Sequence, residues 1–305
     1  MKANIKTLLT VCAAGLITGC TDLDVKVESQ YTEYPIDNQI AVEGKLADVY
    51  FQLRGTYGRR FMEAMSLSSD EYTAVSYGGG WYDSGAYAHP SLHDFTAEDA
   101  TIDWMGNLTA GCTKANTVIR DLGGDEANPV SIAPARAMRA LFPFYMMDCW
   151  RCSDLDHLPA DGELIDRSPR ADVAKFIESE LKEIIPLLTE EVNDNTYGKP
   201  TKWMAEALLV KLYINWPVYT AASVDQYDAN AYSNEKLNDC IALCDDIIKN
   251  GNKFNLGSMS YQMKFGPITD HMLKTLFMQC RMILIQKKVY NMVVHVLGNK
   301  LATLN

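Results

Sequence analysis

The run Ala135-Arg136-Ala137-Met138-Arg139-Ala140-Leu141-Phe142-Pro143-Phe144-Tyr145-Met146-Met147-Asp148-Cys149-Trp150 decides the fold class, because it reads as a helix with little polar surface. Ala137, Leu141, Phe144, Tyr145 and Met147 recur at helical spacing and predict a helix from about Pro134 to Trp150. The same period appears on both sides of it. Upstream, residues 44–58 carry Leu46, Val49, Tyr50, Leu53 and Tyr57 at i, i+3, i+4, i+7 spacing. Residues 98–122 carry Ile102, Leu108, Cys112, Ala115, Val118, Ile119 and Leu122 and stop at Gly123-Gly124. Downstream, residues 171–191 present Val173, Phe176, Ile177, Leu181, Ile184 and Leu188 on one face, with Pro186 expected to kink the helix. A fifth helix is expected from Thr201 to about Trp216, apolar nearly all round and ended by Pro217. A sixth is expected from Asn234 to Lys249, ended by Asn250-Gly251. The fold class expected is mainly all-α. Small residues such as Ala205 facing Leu208, Leu212 and Tyr213 suit tetratricopeptide-style hairpins, although the full repeat signature is absent.

Composition narrows the function. The 305 residues hold 28 Lys plus Arg against 39 Asp plus Glu, a net charge of −11, with a pI near 4.9. Such a chain lacks the positive potential that a phosphate backbone requires, so nucleic acid is not an expected partner. At 48% hydrophobic and 10% aromatic residues, with 16 Tyr and 5 Trp, it is far too apolar for a disordered chain.

The N-terminus reads as an address. Lys2 and Lys6 precede an apolar run from Leu8 to Ile17, about half of what a bilayer-spanning helix needs. The run ends in Ile17-Thr18-Gly19-Cys20, which resembles the lipobox of bacterial lipoprotein signal peptides. Residues 1–19 are then the signal, Cys20 the lipid-attachment residue and residues 20–43 a lipidated linker. Each buried CH₂ of the acyl chains would contribute about 0.8 kcal/mol to anchoring.

Eight cysteines raise the question of redox or metal chemistry. Cys149-Trp150-Arg151-Cys152 has the spacing of a thioredoxin-like dithiol and of half a zinc site. A redox pair should open a helix, where the N-terminus lowers a thiol pKa. This pair closes one, where the effect reverses. No second CxxC or His pair stands at zinc spacing, so no metal and no cofactor is expected. Cys240 and Cys244, with Leu237, Ile241 and Ile248, read as a buried helix face.

Residues 76–93 differ from everything around them: Gly78-Gly79-Gly80 followed by Trp81, Tyr82, Asp83, Ser84, Tyr87, His89 and His93. The glycines lack the Gly-Lys-Ser/Thr ending of a phosphate loop. Aromatic faces beside polar groups suit a sugar, whose C–H face stacks on a ring while its hydroxyls find hydrogen-bond partners. Trp81, Tyr82, Tyr87 and Asp83 are therefore the candidate carbohydrate-binding residues. Any one ring could instead pin the loop to the helices.

The order of segments resembles the SusD/RagB family of outer-membrane nutrient-binding lipoproteins of Bacteroidetes. The resemblance runs over about residues 12–268. It rests on Leu67-Ser68-Ser69-Asp70-Glu71-Tyr72, on Trp104 leading through Gly111 and Lys114 to Ala115-Asn116, and on the 135–150 stretch. Arg167-Ser168-Pro169-Arg170 and Gly198-Lys199-Pro200-Thr201-Lys202, opening the helix to Leu212-Tyr213, complete it. It implies a SusD-like fold with tetratricopeptide-like helical hairpins and long loops, with residues 44–268 as its N-terminal helical domain. It also implies a cell-surface location on the outer membrane, a SusC-like TonB-dependent transporter as partner, an oligosaccharide or polysaccharide ligand, and no enzymatic activity. Two features depart from the pattern: Arg151-Cys152-Ser153 replaces the usual Gly-x-x-Pro turn, and family members are roughly twice as long.

Residues 269–305 form an atypical basic tail. From His271 to Asn305 there is no acidic residue and a charge of +5. One reading is a segment for anionic lipid or for a partner. A sharper one is a frameshift that truncates the product: translation from the third base of the Phe277 codon permits Tyr-Ala-Met-Pro-Tyr-Asp, which resembles a family segment. Three functions follow from the whole sequence. They are glycan capture and delivery to the transporter, a helical scaffold binding only a protein, and a Cys149/Cys152 dithiol oxidoreductase. Carboxylates along 178–191 read as a solvated face rather than as an acid/base pair.

Overall fold

The computed structural model describes residues 39–71, 87–94, 96, 98–99, 104–150, 167–193, 195–196, 198–223 and 233–251. The expected signal, Cys20, Trp81, Tyr82, Asp83, Cys152 and the 269–305 tail lie outside the described residues. Those described are mostly helical, with no strand among them.

Helix α1, Gln39–Gly55, buries Leu46, Val49 and Leu53, the stripe read from the sequence. The chain does not stop there. It passes through a π-helical turn at Thr56–Phe61 into α2, Met62–Ser68. No sequence period marks a wider turn of this kind, which lets one residue slip out of the α register. A four-residue helix, α3 (His89–Leu92), lies against α2.

Helix α4, Met105–Asp121, buries Leu108, Gly111, Cys112, Ala115, Val118 and Ile119. It ends where the sequence placed its stop: Gly123 and Gly124 take φ of 116° and 60°, a backbone region that favours glycine. A 3₁₀ turn then leads to α5, Pro129–Cys149. This helix starts before the expected Pro134, because Asn128 caps it by accepting a hydrogen bond from Val130 N and Pro129 occupies its first position. Pro134 and Pro143 both lie inside α5. Its burial sustains it despite them: Ala133, Ala135, Ala137, Met138, Ala140, Phe142 and Met147 are fully buried. Each buried Met or Phe contributes about 1.5–3 kcal/mol relative to exposure.

Helix α6, Arg170–Ile184, packs on α5 through Val173, Ala174, Ile177, Leu181 and Ile184. Pro186 does not kink it but ends it, in a 3₁₀ turn at Ile185–Leu187. Helix α7, Lys202–Ile214, begins where Thr201 accepts from Met204 N. Pro217 then sits near the start of a short helix, α8 (Trp216–Thr220), rather than at a terminus. Helix α9, Leu237–Lys249, packs on α7. Here the sequence reading is corrected: Cys240 is buried, but Leu237, Ile241 and Ile248 face outward and Cys244 is half-buried. The helix carries a second, adjacent line of apolar residues, Leu243 and Ile247, and it turns Cys240 and Leu243 toward the core.

Candidate functional site

The core of the hairpins is fastened by charge as well as by packing. Glu180 on α6 is 6% exposed and accepts from two arginines of α5. Arg136 Nη2 lies 2.6 Å from its Oε1, and Arg139 reaches its Oε2 through Nη2 at 2.7 Å and Nε at 2.9 Å. Arg139 Nη1 also donates to Asn116 Oδ1 of α4 at 3.3 Å, while Arg136 Nη2 meets Glu183 at 2.5 Å. Three helices are thereby joined through one buried carboxylate. This corrects the reading of 178–191 as a solvated face. Glu178 departs from it too, accepting from Lys182, Lys236 and the Tyr213 hydroxyl at 2.7–2.8 Å. Burial opposes its charge, yet those three donors hold its pKa down at about 2.

Trp203 and Trp216 are built into this frame. Trp203 donates its indole N–H to Glu190 O at 2.9 Å, and Trp216 donates to Glu235 Oε1 at 2.9 Å. Lys236 sits over the rings of both Tyr213 and Trp216 at 5.4 and 5.0 Å.

A separate aromatic cluster gathers at the α4–α5 hairpin, from Phe61, Trp104, Tyr145 and Trp150. Phe61, from the π-helical turn, meets Trp104 and Tyr145 edge-on with centroids 5.9 and 5.1 Å away. Trp104 meets Trp150 at 4.3 Å. Trp104 stands immediately before α4 and Trp150 immediately after α5, so the aromatic cluster lies at one end of that hairpin. Ser91 and His93 are tied to α2. Ser91 Oγ donates to Leu67 O at 3.1 Å, and a His93 ring nitrogen lies 3.1 Å from Ser68 O. His89 Nδ1 pairs with Asp99 at 3.0 Å, and Asp99 also accepts from Thr96 N. The Thr96 hydrogen bond first, and His89 second, hold the Asp99 pKa below its ordinary value.

Among the four candidate sugar-binding residues only Tyr87 is described, and it is 5% exposed. Its ring is packed into the described part of the fold. Trp81, Tyr82 and Asp83 lie outside the described residues. What the sequence missed is the Phe61–Trp104–Trp150–Tyr145 cluster, whose members come from three separate stretches.

The dithiol reading fares poorly at its described half. Burial first, and the Asp148 charge second, push the Cys149 thiol up to about 12, the opposite of what a nucleophilic thiolate needs. Among the described residues Cys112, Cys149, Cys240 and Cys244 are free thiols, and no cluster of three or more His, Cys, Asp or Glu could hold a metal. No described helix is long and apolar enough to cross a membrane.

Known proteins share both the sequence and the fold. No family model matches the chain. A SusD-like protein of Bacteroides ovatus is 28% identical over 239 residues, which cover 70% of this chain and 40% of that protein. The chain is similar to SusD-like proteins. Two SusD superfamily structures from Bacteroides vulgatus superpose with a TM-score of 0.53, at 17% and 15% identity. They cover 74% and 72% of this chain and are themselves covered over 50% and 45% of their length. A SusD-like structure from Bacteroides fragilis gives 0.52 at 18% identity, covering 73% of this chain and 40% of its own. The SusD-like helical fold thus holds across low identity, and this chain spans half or less of these relatives' lengths. Several motif residues of the resemblance take their places as parts of the frame: Arg136, Arg139 and Asn116 in the Glu180 cluster, and Thr201 as the cap of α7.

Proposed function

We propose that this SusD-like chain is the helical N-terminal part of a nonenzymatic, glycan-binding lipoprotein of the outer-membrane surface. In this reading Cys20 carries the lipid, residues 44–268 form the helical domain, and captured oligosaccharide passes to a SusC-like TonB-dependent transporter. The observation that carries it is the SusD-like sequence match over 239 residues, joined to the lipobox that ends at Cys20. The Gly-rich, aromatic stretch of residues 76–93 supports a sugar ligand by its composition. Trp81, Tyr82 and Tyr87 supply the aromatic faces in this proposal and Asp83 a hydroxyl acceptor.

Affinity electrophoresis of the full-length protein in detergent through gels containing a panel of polysaccharides tests this. Retardation by at least one polysaccharide is expected. The Trp81→Ala and Tyr82→Ala variants should weaken it roughly tenfold each, the equivalent of about 1.4 kcal/mol of lost stacking. Unchanged retardation in both variants, or none by any polysaccharide, would argue for the protein-binding scaffold instead. Metabolic labelling with radioactive palmitate, absent in Cys20→Ala, checks the anchor independently.

A further inference from the structure

The join between α7 and α9 places three carboxylates around one ammonium. Lys202 Nζ lies 3.1 Å from Glu190 Oε1, 3.1 Å from Asp246 Oδ2 and 3.7 Å from Glu206 Oε1. The Asn250 side chain donates to Asp246 Oδ1. Glu206 is 2% exposed, and its Oε2 receives no hydrogen bond from any described group. One lysine cannot neutralise three carboxylates, and a buried anionic oxygen with no donor is strongly unfavourable. The Glu206 and Asp246 carboxylates nevertheless converge on the same ammonium, and two ionised carboxylates held this close repel each other.

We propose that Glu206 carries a proton in the folded protein and donates it to Asp246, so that a single shared proton clasps α9 to α7 and its loss with rising pH opens the join. The groups that act on Glu206 are Lys202 on its own helix and Asp246 on α9, with Glu190, on the segment leading into α7, sharing Lys202. Lys249 is engaged with Asp245 at 2.8 Å. Burial first and Asp246 second push Glu206 up to about 7. Asp246 is held below its ordinary value, chiefly by Asn250, so the proton resides on Glu206. In the unfolded chain Glu206 would titrate near an ordinary glutamate value of about 4.3. The clasp is therefore complete below that pH and is lost as pH rises through about 7. Cys240, buried in the same join with its thiol 3.7 Å from Val210 O, moves into solvent when the clasp opens.

Amide hydrogen exchange of the full-length protein at pH 6 and pH 8, corrected for the intrinsic pH dependence of exchange, tests the opening. Protection of residues 237–249 should fall at least tenfold between the two, while residues 105–149 keep theirs. In Glu206→Gln, whose amide donates to Asp246 at every pH, α9 should stay protected at pH 8. Equal wild-type protection of α9 at both pH values overturns the proposal, as does an equal fall in Glu206→Gln. Infrared spectroscopy of the wild-type protein with labelled glutamate needs no variant. A protonated glutamic-acid carbonyl band present at pH 6 and titrating away by pH 8 is expected, and its absence at pH 6 refutes the shared proton.

Discussion

Glu180 illustrates how a single side chain can be misjudged from its neighbours in sequence. Glu178, Glu180, Lys182 and Glu183 alternate in a way that looks solvated, and Glu183 does remain largely exposed. Arg136 and Arg139, which pull Glu180 inward, lie more than 40 residues away, so the pairing belongs to tertiary packing and has no local signature. Removing one member of such a buried network leaves the others charged and uncompensated. Glu180→Ala should destabilise the protein by about 3–5 kcal/mol, read as a lowered urea midpoint with an unchanged slope. A loss below about 1 kcal/mol would mean that the arginines find water readily and the network is peripheral. Gly111 was similarly legible only as a motif letter. Its physical reason is the Phe142 ring, which stands 2.5 Å from where a Cβ would be placed.

At the scale of the element, the existence of helices was legible and their ends were legible in part. Gly123-Gly124 and Thr201 acted as the sequence suggested, because a left-handed stop and an N-cap are local chemistry. Proline misled where two placements competed: Pro134 was read as the start of α5, while the Asn128-Pro129 pair a turn earlier supplied a better one. In α9 the sequence offered two neighbouring apolar stripes, and only the position of α7 decides which one is buried. The caps carry a direct prediction. Asn128→Ala and Thr201→Ala should each cost about 1 kcal/mol, with the loss measured by denaturant titration, since each strands a backbone N–H at the head of a helix. No change in either would show that water caps these ends equally well.

At the scale of the molecule, two glutamates with opposite shifts bracket the stability in pH. Glu178, held at about 2 against an unfolded value of about 4.3, favours the fold above that range. Its contribution is lost as pH falls from about 4.3 toward 2. Glu183, Asp121 and Asp99 are shifted the same way. Glu206, raised to about 7, binds its proton more tightly in the folded chain, so its contribution is complete below about 4.3 and gone above about 7. Each of the two large shifts is worth on the order of 3–4 kcal/mol. Net charge acts in the same sense, because self-repulsion is smallest near the pI of 4.9 and grows toward the −11 of neutral pH. Thermal unfolding followed by circular dichroism should therefore show its highest midpoint near pH 5, at least about 5 °C above that at pH 8. Glu206→Gln should flatten the alkaline side while leaving the acid side in place. A midpoint that climbs steadily from pH 5 to pH 8 would contradict both the charge argument and the protonated Glu206, whereas a peak near pH 5 that Glu206→Gln leaves unaltered would assign the alkaline decline to net charge alone.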